Sequence, residues 1–113
     1  MELRLFLKAL QENPESIKFE DTIQVIERHY HYSPAEFTNG EQHNKAGENE
    51  GSCKIFAFGQ IHSLDVEQTL YCFGQHYQSV LQDPDGNSHQ NIRQFVQRGW
   101  EGIVFQSKPL SAK

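Results

Sequence analysis

Gly51-Ser52-Cys53-Lys54-Ile55-Phe56-Ala57-Phe58-Gly59-Gln60-Ile61-His62 is the stretch on which the fold turns. As a strand, Cys53, Ile55, Ala57, Gly59 and Ile61 would alternate with Lys54, Phe56, Phe58 and Gln60. As a helix, Cys53, Phe56, Ala57 and Gln60 would share one face. Short apolar runs do not separate the two by periodicity alone. Ser52 after Gly51 is a favoured N-cap, because its hydroxyl can accept an orphan N–H of the first turn. That tilts the stretch to a helix and makes the chain helix-rich.

Toward the C-terminus the signals are clearer. Asp65 and Gln68 are spaced as a capping box, and Val66, Leu70, Phe73, Tyr77 and Leu81 give a helical stripe to about Gln82. Asp83-Pro84-Asp85-Gly86 is a turn by its chemistry. Ser88 is placed to cap a further helix carrying Ile92, Phe95 and Val96, with Gly99 suited to the left-handed closing conformation. Gly102-Ile103-Val104-Phe105 is β-rich and needs a strand partner, for which Glu36 to Thr38 is the best candidate. The tail after Ser107 should fray.

Toward the N-terminus, Leu3, Phe6, Leu7 and Leu10 follow the spacing of an amphipathic helix, which Asn13-Pro14 ends. A second helix is expected from about Phe19 to His31, with Phe19, Ile23, Ile26 and Tyr30 on one face and Ser33-Pro34 as its stop. Ala35 to Ser52 is different: polar, rich in Asn, Gly and Glu, with Phe37 its only large apolar residue and Asn39-Gly40 a turn signal. Composition alone allows a flexible loop. Structureless loops of this length are uncommon inside compact domains unless functional or disordered, which favours an ordered segment.

The expected architecture is α+β, about five helices with a small strand pair, and an all-α arrangement is the alternative. Residues 1–107 should form a single domain, with 108–113 as a flexible tail. The 113 residues suit one domain and one modest core, and eight Phe, four Tyr and one Trp enlarge a hydrophobic fraction of 36%. The formal net charge is −5, and the ten basic residues are spread along the chain. A surface of that sign repels phosphate backbones, so no nucleic-acid partner is expected. No apolar run is long enough to span a bilayer, so no membrane partner is expected either. Met1 to Asn13 lacks the apolar core of a secretory signal. Cys53 and Cys72 are too few for a disulfide framework and read as buried reduced thiols of a cytoplasmic protein, expected to be a monomer.

Candidate chemistry concentrates in the polar segments. His43, Glu48, His62 and His89 carry metal-ligand side chains, but at no diagnostic spacing, and no metal or other cofactor is expected. Cys53 near a helix start, paired with a histidine, would resemble a thiol nucleophile with its base; the plainer alternative is a small buried apolar residue. His89, Asn91 and Arg93 crowd one helix start, either to bind a partner or to cap the helix and bond the central segment. Trp100 suits a core anchor or an interface contact. Together Asn39, His43, Asn44, Glu48, Asn49, Cys53, His62, His89, Asn91, Arg93 and Trp100 make up the candidate polar surface.

Phe37-Thr38-Asn39-Gly40, Ala46-Gly47-Glu48-Asn49, Gly51-Ser52-Cys53-Lys54, His89-Gln90-Asn91-Ile92-Arg93 and Gly99-Trp100-Glu101-Gly102 resemble the HopJ type III effector family, over about Leu3 to Phe105. The resemblance implies a small bacterial protein and marks these polar stretches as shared. It transfers no catalytic residue. It raises export through type III secretion as the alternative to residence in the cytoplasm. The expected function is a non-enzymatic protein-interaction domain; a small metal- or thiol-dependent enzyme using the shared His, Glu and Cys residues is the alternative.

Overall fold

The computed structural model describes residues 2–113. Among them six α-helices run in order: α1 (Leu3–Glu12), α2 (Phe19–His29), α3 (Glu50–Ile61), α4 (Val66–Tyr71), α5 (Gln75–Gln82) and α6 (Gln90–Arg98). Five short strands complete the α+β fold: β1 (Tyr30–Tyr32), β2 (Phe37–Asn39), β3 (Gln42–Asn44), β4 (Ile103–Phe105) and β5 (Leu110–Ala112). They form an antiparallel β1–β5 pair and a three-stranded antiparallel sheet ordered β3–β2–β4. No helix among the described residues is long and apolar enough to cross a membrane.

The ambiguous stretch is helical, and its ambiguity has a physical source. In α3, Cys53, Ile55, Phe56, Ala57, Phe58 and Gly59 are all buried, so the helix has no polar stripe for a 3.6-residue period to show. Phe56 meets the rings of Phe37, Phe73, Phe95 and Trp100, and Phe58 meets those of Phe6, Tyr30 and His62. Ser52 does not cap α3. The helix starts three residues earlier than that cap would place it, at Glu50, with Asn49 as N-cap in the left-handed region (φ 50°). A Cβ on Gly51 would lie 2.8 Å from the Phe19 ring, so glycine lets α2 pack across this start.

Several other boundaries depart from expectation. The stripe from Val66 to Leu81 is not one helix. Its capping box is present, with Asp65 accepting from the Gln68 N–H at 2.7 Å and donating its own N–H to Gln68 Oε1 at 3.1 Å. The chain then breaks at Gly74 (φ 56°, ψ −127°) and restarts as α5. His89, not Ser88, precedes α6. Gly99 has φ 61° but ψ −151°, outside the left-handed helical well. The second helix ends at His29, because Tyr30 to Tyr32 pair with Leu110 to Ala112 as strands. That pairing also corrects the frayed tail: Leu110 is 1% exposed and anchors β5. The β4 partner is Phe37 to Asn39, one residue beyond the expected Glu36 to Thr38.

The polar middle is a hairpin. Residues 37–39 and 42–44 pair around the two-residue turn Gly40-Glu41. Gly40 has φ 59°, as such turns require, and the Glu41 N–H donates to Gln94 Oε1 at 3.0 Å, tying the turn to α6.

Candidate functional site

The site is built on buried asparagines. Asn39 and Asn44 have no exposed surface and Asn91 has 6%. Asn39 Nδ2 donates to Asn91 O at 2.7 Å and Asn91 Oδ1 at 3.1 Å. Asn44 and Asn91 exchange side-chain amide bonds at 3.2 and 2.9 Å, and Asn49 Nδ2 donates to Asn44 Oδ1 at 2.7 Å. Four amides thus pin the hairpin, the start of α3 and the start of α6 to one another. A buried amide without partners carries a desolvation cost of about 1–3 kcal/mol, so the three elements hold one relative position. Asn39 Oδ1 is a buried atom of this network without a partner among the described residues.

A cleft of about 490 Å³ opens beside the network. Phe19 and Phe73 supply its apolar part; Gln42, Asn49, Ser52 and Gln90 supply amides and a hydroxyl; His76 and His89 supply imidazoles. No cap side chain bonds the first turn of α3 or α6, both of which begin at this cleft. The His76 ring lies with its centroid 4.7 Å from that of Phe19 and 5.0 Å from that of His89. Desolvation, then the charges of His76 and Arg93, lower the His89 pKa and favour its neutral form.

Of the eleven candidate residues, Asn49, His89 and Asn91 line this cleft, and Asn39 and Asn44 are bonded to Asn91 from within. The others lie elsewhere. Exposed His43 pairs with Glu36 at 2.6 Å. Glu48 accepts the Lys45 N–H at 2.8 Å and closes the 45–48 turn. His62 Nε2 meets the Tyr30 hydroxyl at 2.6 Å under Phe58, and burial lowers its pKa. Cys53 is 1% exposed and burial pushes its thiol up, the opposite of an activated nucleophile. Arg93 donates to the carbonyls of Ser88, Asp83 and Pro84 and so clamps the turn between α5 and α6. Trp100 is a packed residue: its Nε1 donates to Leu64 O at 2.9 Å, and its ring meets Phe56 and Phe95. No three His, Cys, Asp or Glu among the described residues form a group able to hold a metal ion.

Residues 3–110 match the model of the HopJ type III effector protein family. The chain belongs to this family. The HopJ chain is also similar to a solved structure, the crystal structure of the unknown-function protein VPA0580, at 56% identity and a TM-score of 0.98. That likeness covers 100% of this chain and 95% of the other. No curated protein matches the HopJ chain.

Sequence reasoning did not single out His76, Phe19, Gln42 or Gln90 as part of the HopJ cleft. The signal for His76 was Gly74. A glycine inside a helical stripe marks a break, and a break there turns His76 from a mid-helix residue into one beside a new helix start. Phe19 and Gln42 reach the cleft only through tertiary packing, which no local pattern records.

Proposed function

We propose that this HopJ-family chain is a non-enzymatic protein-interaction domain whose recognition surface is the cleft between the starts of α3, α5 and α6. The observation that carries this is the asparagine network: four amide side chains are committed to holding the shape of a polar surface. Pre-organised surfaces bind without ordering costs at the moment of association. The groups that chemistry would need are dispersed, and the buried Cys53 thiol has a raised pKa, which counts against the thiol-dependent alternative.

The domain acts as a monomer, without nucleic acid or membrane, and resides in the cytoplasm. The family's name suggests type III secretion, which makes export the alternative. A reporter fused after α1 is expected to stay inside a secretion-competent strain; its appearance in the medium would reverse the assignment.

A photo-cross-linker at Gln90, on the cleft, tests the recognition surface against the same group at exposed Lys8 on α1. A specific protein captured from Gln90 and absent from Lys8 is the expected result. Identical capture profiles at the two positions, or none, would remove this function.

A further inference from the structure

We propose that His76 and His89 form a two-imidazole site for a divalent late transition metal ion, with zinc as its representative, at the rim of the cleft. The proposal uses the same cleft as the interaction surface but does not depend on a protein partner. Zinc sits about 2.0–2.1 Å from an imidazole nitrogen, hence about 3.2 Å from the ring centroid, and two tetrahedral ligands then place their centroids about 5 Å apart. The His76 and His89 centroids are 5.0 Å apart, with the ring planes inclined by 34°. His89 is exposed, so its ring can turn its nitrogen edge toward His76 against water rather than against packed atoms.

The backbone fixes the spacing. His76 lies in the first turn of α5, beyond the break at Gly74, and His89 lies in the left-handed region just before α6. Arg93 clamps the turn joining these two helices through three carbonyls. A chelating pair thus sits on elements whose separation the fold controls.

Surrounding charges are mixed. Arg93 favours neutral His89, the form that binds metal, although its own charge opposes a cation. Glu20, held by Gln75 Nε2 at 2.9 and 3.0 Å, is close enough to His76 for their charges to interact and offsets that opposition. Imidazole selects zinc, copper or nickel over calcium and magnesium, which require oxygen ligands. Two imidazoles leave coordination positions for water or for a donor atom of whatever fills the cleft.

Zinc titration of the full chain near neutral pH, followed through the imidazole nitrogen signals of all six histidines, is the test. The expected result is joint movement of the His76 and His89 signals, saturating at one ion per chain, with His43 and His62 unmoved. His76→Gln or His89→Asn should weaken binding roughly tenfold or more, since even groups that merely orient a ligand contribute that much. Asparagine tolerates the left-handed conformation at position 89, so that variant keeps the backbone. First movement at His43, undiminished binding in either variant, or no response at millimolar zinc would each overturn the site. The wild-type spectra decide the matter even where a variant fails to fold. Because no partner protein is present, failure here leaves the cross-linking result standing, and the converse holds.

Discussion

Asn91 concentrates the residue-scale argument. It lies on α6, accepts from Asn39 and Asn44 and donates to Asn44. Replacing it with alanine removes the three bonds of its side chain, while Asn39 Nδ2 keeps its 2.7 Å bond to the Asn91 carbonyl, so the loss falls mainly on the buried Asn44. Depriving a buried amide of its partners costs about 1–3 kcal/mol, so Asn91→Ala should lose about that much in urea unfolding, more than an exposed substitution such as Gln97→Ala. Equal midpoints for the two variants would show that the network does not hold the hairpin. His62 belongs to the same scale. Burial lowers its pKa from 6.5, so folding favours the neutral ring. The associated stability is present above about pH 6.5 and is lost as the pH falls through the lowered value. Protonation also leaves Nε2 able only to donate to the Tyr30 hydroxyl. Stability measured between about pH 6.5 and pH 5 should fall less steeply in His62→Gln than in the parent. His89 shifts the same way, so some slope should remain.

Among elements, the α4–α5 break decides most. Gly74 has φ 56° and ψ −127°, and a Cβ there would sit 2.4 Å from the Phe19 backbone nitrogen and 2.7 Å from the Lys18 carbonyl carbon. Backbone cannot yield as a side-chain tip can. Gly74→Ala should therefore cost about 3 kcal/mol or more and yield little folded protein by circular dichroism. A native-like thermal midpoint would mean that the break tolerates a side chain. The helical stripe from Val66 to Leu81 was legible because its apolar positions keep nearly the same period on both sides of the break. The break had Gly74 as its one local sign, and what forces it is the closeness of Lys18 and Phe19 at the start of α2, which no local pattern records. The α3 helix shows the reverse case. Its type followed only weakly from local signals, because a helix buried on most faces has no polar side to reveal its period.

Across the whole molecule, the C-terminal strand closes the structure. Leu110 is buried between β1 and α3, and β5 is hydrogen-bonded to β1. Leu110→Ala should destabilise the whole domain by about 2–4 kcal/mol in a single cooperative transition. Unchanged stability would return residues 108–113 to the role of a tail. The candidate site was legible at this scale only in part. Asn39, Asn44, Asn49, His89 and Asn91 stood out by residue type and do meet in space. His43, Glu48, Cys53 and His62 carry the same chemical promise and are dispersed, because each satisfies a local need: an ion pair, a turn, a core position, a tyrosine hydroxyl.

Helix positions, the turn at Gly40 and the Asp65 box were written locally. Periodicity, caps and turn residues act over a few neighbours and need no fold to be read. Tertiary structure alone decided that His76 faces His89, that Gly74 splits a helix and that Leu110 completes a sheet. Those outcomes depend on which distant surfaces exclude water together, and that choice is made by the packed chain as a whole.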